Sequence, residues 1–397
     1  MAALPKETKF IQFGCWNNMN GKGCLDRVVE KITSKINDEE KKYEFLVVSG
    51  DNYYPDKKET VKTASQGREA AESVKTKIIH PARLTTGFDL IKTLPIDIKM
   101  ILGNHDLETN TKNNLYIEQD GDLVPEVNGD CSIIKLEINE LNGSTIDYQI
   151  FNSISIGNTL ILMIDTSMYE MKSTQFLPCY KSFISSNHLT PGSYPKIDTL
   201  KDLLEFQKEN ILGKILEHNG MYPEDAHIII IGHHPIIQRK LTKIAPIKQI
   251  NTTDIPNILP LLSDIYGVFK EKAKYNYLCS DLHLYQQGII EIGVSGGEHM
   301  SINQYIVGTG GTKLDKPLTV NLSGDEAPDN FGNTIYIPQP DIAECGFLEC
   351  SITDRGPSFT PIFVDKIMKA SHDNGGIHNL TKISRTRRRV KKKRSLK

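Results

Sequence analysis

At 397 residues the chain can form one large domain or two ordinary ones, and 39% hydrophobic with 24% charged residues is ordinary for a soluble globular protein. No stretch approaches membrane-spanning length, Met1 to Phe10 lacks the apolar core of a signal peptide, and seven scattered cysteines make no disulfide framework. These features argue against a membrane protein or a secreted disulfide scaffold, and an intracellular, mostly reduced chain, cytoplasmic or nuclear, is expected. The net charge of -2 hides an asymmetry, because Lys382 to Lys397 holds ten Lys or Arg and no acid. The rest of the chain is left at about -12.

Phe10 to Phe13 reads as a first strand, ending at Gly14-Cys15-Trp16-Asn17, and helical material follows from about Leu25 to Lys35. Phe45 to Val48 is a short apolar run that reads as a buried strand and breaks at Ser49-Gly50 into Asp51, Asn52, Tyr53 and Tyr54. Lys57 to Leu94 is charged and mostly helical in pattern. Ile98 to Leu102 is a third strand, closed by Gly103-Asn104-His105-Asp106. Leu107 to Asn158 is polar and rich in Asn and Gly, and reads as loops with hairpins. Thr159 to Ile164 is a strand ending at Asp165-Thr166, and Thr199 to His218 has helical periodicity. His227 to Ile231 is a strand ending in Gly232-His233-His234-Pro235. Ile258 to Lys272 reads as a helix, and Tyr275 to Cys279 as a strand running into Ser280-Asp281-Leu282-His283. Gly288 to Val294 and Gln304 to Val307 are strands before Gly308-Thr309-Gly310-Gly311. Beyond about Leu318 the pattern weakens, with Phe347 to Ile352 and Phe359 to Val364 expected as edge strands. Strands alternating with helices argue an α/β fold, and the paired late strands a mixed, two-sheet core.

Four strand ends carry Asp51-Asn52, Asn104-His105-Asp106, His233-His234 and Asp281 with His283. In an α/β sheet ligands sit beyond the carboxyl ends of strands. These oxygen and imidazole donors suit zinc, iron or manganese. One carboxylate bridging two ions, flanked by donors from other strands, is how a two-metal hydrolytic site is built.

In that order GDNYY, GNHD, GHHP and CSDLHLYQ resemble the metallophosphoesterase superfamily of calcineurin-like phosphatases. They more closely resemble the purple acid phosphatases of the tartrate-resistant type, whose motifs read GDxG, GDNFY, GNHD, GHYP and GHDH. The likeness runs from about Phe10 to Gly311 and includes a strand ending in Asp-Thr, as Ile164-Asp165-Thr166 does. It implies two mixed β-sheets packed face to face with flanking helices, hydrolysis of a phosphomonoester, and two divalent or trivalent metal ions (iron, zinc or manganese). By resemblance Asp51 is the bridging carboxylate and Tyr54 the phenolate on ferric iron. Asn104 and His233 match ligands of the divalent site, and His283 matches the last iron ligand. His105 resembles the imidazole that touches the substrate phosphate and protonates the leaving alkoxide, with Asp106 orienting it.

The chain departs from this pattern at two positions. Cys15 stands where the branch has Asp in its first motif, and Asp281 where it has the first His of GHxH, so one ligand at each metal changes. A thiolate is a good zinc or iron ligand, and a carboxylate suits manganese, magnesium or zinc. Asn17, two residues after Cys15, is a further candidate oxygen donor. On its own merits Cys15 reads as either a thiolate ligand or a buried thiol, Asp281 as a ligand or a loop acid, and Tyr54 as a ligand or a packed aromatic. His234 reads as a neighbour of the ligands, and Asp165 as a residue that caps its strand and orders the surroundings.

Two function classes follow. One is an acid-phosphatase-like hydrolase of phosphoric esters; the other is a degenerate phosphatase fold acting as a binding or structural protein, with Cys15 and Asp281 as its evidence. The expected domains are 1–318 for the phosphoesterase, 319–381 for a C-terminal extension and 382–397 for a basic, disordered tail. That tail reads as a non-specific nucleic-acid binder, a ligand for an import receptor, or a solubilising appendage. No membrane partner is expected, and the Lys-, Ile- and Asn-rich body suits a large DNA virus or an AT-rich eukaryotic microbe. His80, His188, His218, His227, His299, His372 and His378 read as surface or core, Gly310-Gly311 as a turn, and Cys345 with Cys350 as no zinc site.

Overall fold

The chain opens on β1 (Thr8–Phe13), α1 (Leu25–Ile36) and β2 (Tyr43–Ser49). An antiparallel pair, β3 (Asp56–Val61) and β4 (Ser73–Ile79), leads to α2 (Pro81–Lys92) and β5 (Asp97–Ile101). Then come β6 (Leu115–Gln119), β7 (Asp122–Pro125), α3 (Ser132–Leu141), β8 (Asp147–Tyr148), β9 (Phe151–Ile156) and β10 (Thr159–Ile164). Helices α4 (Ser173–Ser186) and α5 (Leu200–Met221) precede β11 (Ala226–Ile231), the short pair β12 (Ile237–Arg239) and β13 (Ile247–Gln249), α6 (Leu259–Phe269) and β14 (Ala273–Cys279). The later strands are β15 (Tyr285–Gly293), β16 (His299–Val307), β17 (Asp329–Asn330), β18 (Thr334–Pro338), β19 (Gly346–Thr353) and β20 (Gly356–Phe363). This computed structural model describes residues 7–364, except 19–22, 39–41, 62–72, 111–113, 128, 170–172, 187–195, 240–246, 250–257, 295–296, 318–328 and 331–333. The chain divides into two units after Val364. The basic tail, His188, His372 and His378 lie outside the described residues.

Two mixed sheets build the core, one ordered β20-β19-β1-β2-β5-β8 and the other β17-β18-β15-β16-β14-β11-β10-β9. Within them β1, β2 and β5 run parallel, as do β10, β11, β14 and β16. Side-chain alternation explains why these strands read as unbroken apolar runs. Phe45, Val47, Ile101, Ile229, Ile231 and Leu278 join one buried cluster shared by both sheets. Leu46, Val48, Ile228 and Ile230 point the other way, into the cluster that includes the helices. Each fully buried Val, Leu or Ile contributes roughly 1.5–3 kcal/mol. Helix α1 buries Leu25, Val28, Val29 and Ile32 at helical spacing, and α5 starts on a capping box between Thr199 and Asp202.

The structure differs from the sequence-based expectation in four places. Of the charged stretch from Lys57, the described residues before Pro81 form the antiparallel strands β3 and β4, in which Thr76 and Ile78 are β-branched strand formers, and helix begins at Pro81. The polar stretch from Leu107 holds the β6–β7 hairpin, turning on Asp120-Gly121 at φ 52° and 91°, and also an unanticipated helix, α3. Strand β19 is not an edge: it pairs with β1 on one side and β20 on the other, which carries the first sheet beyond residue 319. Four cysteines expected as thiols are bonded, Cys24 to Cys345 and Cys131 to Cys179, joining positions 321 and 48 residues apart that sequence spacing does not pair. Cys15, Cys279 and Cys350 are free and buried. Among the described residues no helix is long and apolar enough to cross a membrane.

Candidate metal centre

Because β1, β2, β5, β11 and β14 belong to parallel sets, their carboxyl ends deliver Cys15, Asp51, Asn104, His233 and Asp281 to one edge of the sandwich. The loops close on one another through the backbone, with the Cys15 amide on Gly50 O (3.1 Å) and the Ser280 amide on His233 O (2.9 Å). Gly50, at φ 86°, and Gly103 meet face to face; a Cβ on Gly103 would lie 2.2 Å from the Asp51 amide nitrogen. Three candidate ligands, Cys15 (φ 54°), Asp51 (φ 54°) and Asp281 (φ 34°), hold left-handed backbone that non-glycine residues seldom adopt. Such strain concentrates where surrounding structure holds functional groups in place.

Asp51 lies between two sets of donors. Its Oδ2 accepts from the Tyr54 hydroxyl (2.6 Å) and the Cys15 thiol (3.8 Å). His283 Nε2 stands 3.2 Å from that same hydroxyl. Its Oδ1 accepts from the His105 amide (3.0 Å) and faces His233 Nε2 at 3.2 Å. Asn104 Oδ1 is 3.1 Å from His233 Nε2, and Asp281 Oδ1 is 4.0 Å from it. Two groups could each hold a cation, with ligand atoms within 4.8 Å of one another: Cys15, Asp51 and His283, and His233, His234 and Asp281. The structure thus brings together every expected ligand. It also adds His234, expected only as a neighbour.

These residues fit metal ions. His233 Nδ1 donates to Ser49 O at 2.8 Å, the backbone anchor that leaves Nε2 turned toward Asp51 and Asn104. His234 is buried, its Nδ1 lies 3.2 Å from Thr166 Oγ1, and its Nε2 has no partner among the described residues. Burial, then the charge of His233, pulls the His234 imidazole down to about 4, so it stays neutral and able to ligate. Burial pulls His233 down too, but the Asp51 carboxylate reverses that and raises it to about 9. Burial works against ionised Asp51, yet His233 and His105 hold its carboxyl well below the usual range. Burial raises Cys15 and Tyr54 well above their ordinary values, so binding through either must displace a proton.

Two other expectations need correction. Asp106 does not orient His105; Glu108 does, with His105 Nδ1 to Glu108 Oε1 at 2.7 Å and Lys77 Nζ to Glu108 Oε2 at 2.5 Å. Burial lowers His105, but Glu108 and Asp51 outweigh it and raise the imidazole, while Glu108 sits at about 2. The only sequence signal for Glu108 was its place three residues after His105. Asn17 turns away from the centre: its Nδ2 donates to Leu84 O (3.1 Å) against α2. Asp165 behaves as a strand-end cap, accepting from the Ser167 amide (2.7 Å) and the Tyr180 hydroxyl.

Asp106 instead ties two loops together from behind. It accepts from the Asn52 amide (2.7 Å), the Asn52 side-chain nitrogen (2.8 Å) and the Gly103 amide (2.7 Å). Trp16 Nε1 donates to Asn52 Oδ1 (3.0 Å), and the Tyr148 hydroxyl to Glu137 Oε2 (2.9 Å). Glu137 is fully buried beside Asp106, and burial pushes its carboxyl up to about 8. Burial, then the charge of Glu137, raises Asp106 well above the usual range too, so the two carboxyls share a proton at the otherwise unpartnered Glu137 Oε1. Because the folded value is raised, this contribution to stability is complete below the unfolded carboxyl value and is lost as pH rises through about 8. Glu137→Gln is therefore expected to match the parent in urea unfolding at pH ~4 and to exceed it at pH ~9 by roughly 2–4 kcal/mol. Parallel pH profiles for the two proteins would refute the shared proton.

A cavity of about 920 Å³ opens onto Tyr54, His105 and His283. Among solved structures the chain is similar to the purple acid phosphatase PPD1 from yellow lupin (Lupinus luteus) seeds, with 10% identity and a TM-score of 0.46. That likeness covers 89% of this chain and 51% of the lupin chain, so this chain spans about half the lupin protein's length. It is also similar to GAP50, the anchor in the inner membrane complex of Plasmodium, with 12% identity, a TM-score of 0.43, and 91% and 86% of the two chains covered. The phosphopantetheinyl hydrolase PptH from Mycobacterium tuberculosis is similar with 9% identity, a TM-score of 0.33, and 77% and 91% covered. No curated protein matches the chain. A family model for calcineurin-like phosphoesterases matches residues 8–252, a span that takes in Cys15, Asp51, Asn104, His105 and His233. With its strand-end donors and that match over more than half its length, the chain belongs to the calcineurin-like phosphoesterase family.

Proposed function

We propose that this chain is a metal-dependent hydrolase of phosphoric esters, an acid-phosphatase-like phosphomonoesterase whose dinuclear centre has altered ligands. The observation that carries the proposal is the position of Asp51, whose Oδ2 serves Tyr54 and Cys15 while its Oδ1 faces His233. Cys15, Asp51, Tyr54 and His283 would hold one ion; Asp51, Asn104, His233 and Asp281, with His234 beside them, would hold the other. When bound, such ions supply an acidified water and neutralise charge on the phosphoryl oxygens. His105 lines the cavity with Nδ1 engaged by Glu108, and its raised imidazole is a proton donor for the departing alcohol. In the net reaction the water oxygen bonds to phosphorus, the ester P–O bond breaks, and the ester oxygen leaves protonated.

Protein reconstituted with iron, manganese or zinc is expected to retain about two ions per chain and to release p-nitrophenol from p-nitrophenyl phosphate. The soft Cys15 donor makes zinc and ferrous iron competitive with ferric iron. A visible charge-transfer band that disappears in Tyr54→Phe would identify a ferric phenolate centre of the purple type. No bound metal and no turnover from acidic to mildly alkaline pH would instead indicate a phosphatase fold retained as a binding or structural protein.

A further inference from the structure

The cavity beside the centre, about 920 Å³, is far larger than one phosphoryl group and has room for the rest of a substrate. Its lining includes Lys57 and Lys58 from β3, and Lys313 and Lys316 from the loop that follows β16. All four are exposed, and among the described residues none pairs with a carboxylate. The two acids of the same lining are engaged elsewhere. Asp56 pairs with Arg83 (2.6 Å) and His80 (3.2 Å), and Asp315 accepts from the His283 amide (3.2 Å). Lone surface lysines are ordinary, but these four line one cavity of a body that carries an excess of acid. A cleft lined by one sign of charge concentrates ligands of the opposite sign. The charge of the reacting phosphoryl group is met by the centre and His105, which leaves the lysines for a second anion.

Resting on the hydrolase reading above, we propose that the preferred substrate is a small phosphate compound whose leaving group carries a second phosphate, held by Lys57, Lys58, Lys313 and Lys316. Either a sugar bisphosphate or a nucleoside diphosphate has this chemistry. The test compares metal-loaded full chain with the double variants Lys57→Glu/Lys58→Glu and Lys313→Glu/Lys316→Glu. Substrates are fructose 1,6-bisphosphate, ADP and p-nitrophenyl phosphate. The expected result is a ratio of kcat/KM, doubly phosphorylated substrate over p-nitrophenyl phosphate, that falls at least about tenfold in each variant and falls with added salt in the parent. Whichever of fructose 1,6-bisphosphate and ADP has the higher ratio identifies the source of the second phosphate. A ratio that does not change in the variants overturns the proposal. Absence of turnover on all three substrates would defeat the hydrolase reading instead, and inorganic pyrophosphate binding then decides the lysine site. Parent protein binding pyrophosphate at least about tenfold tighter than the variants supports the site, and equal affinity overturns it.

Discussion

Asp51→Asn is expected to lower phosphoester turnover by at least about a thousandfold and to reduce bound metal from two ions to one or none. The side chain is fully enclosed, and its two oxygens face different donor sets, with Tyr54 and Cys15 on Oδ2 and His233 on Oδ1. An amide keeps the shape but offers one acceptor oxygen in place of two and no charge. It can satisfy the His105 amide or the Tyr54 hydroxyl as acceptor, and cannot balance cations on both sides. The fold should persist, because neither buried cluster includes residue 51. Elemental analysis and p-nitrophenyl phosphate kinetics on the folded variant make the check. A variant that retained both ions and turned over within tenfold of the parent would show that the two donor groups do not share this carboxylate.

Gly103→Ala is expected to destabilise the protein by about 2–3 kcal/mol and to weaken metal binding at a position that carries no donor atom. The added methyl would sit 2.2 Å from the Asp51 backbone nitrogen and 2.5 Å from Asp51 Oδ1, closer than any real Cβ contact. Relief requires the loop after β5 to move from the loop after β2, yet Asp106 ties them together through Asn52 and Gly103. The backbone shift therefore separates Asp51 from Asn104. Urea unfolding and zinc titration should change together; a variant with native stability and native zinc affinity would mean that the two loops yield independently.

The strand ends could be read from sequence because a parallel strand buried on both faces must be apolar at every position. Phe45 to Val48 and Ile228 to Ile231 are such runs, and each stops where a glycine lets the backbone turn. The donors at the strand ends, from Asp51 to His283, were identifiable because parallel strands present their carboxyl ends together. Local order thus determined the fold class and the candidate donors, and the order of the motifs carried the resemblance to the family. Strands β3 and β4 were missed because their residues are charged enough to lack a clear period, and pairing with neighbours decides such segments. Helix α3 was missed although Ile133, Ile134, Ile138 and Leu141 recur at helical spacing, because the Asn- and Gly-rich residues around it dominate that stretch. Only tertiary packing could show that Asp106 binds Asn52 and Gly103 while Glu108 takes His105, since both acids lie within three residues of the same imidazole. The same holds for Asn17 turning onto α2, for β19 entering the first sheet beside β1, and for Cys24 meeting Cys345. Each depends on which distant surface a side chain meets once the sheets stack, and spacing along the chain carries no information about that distance.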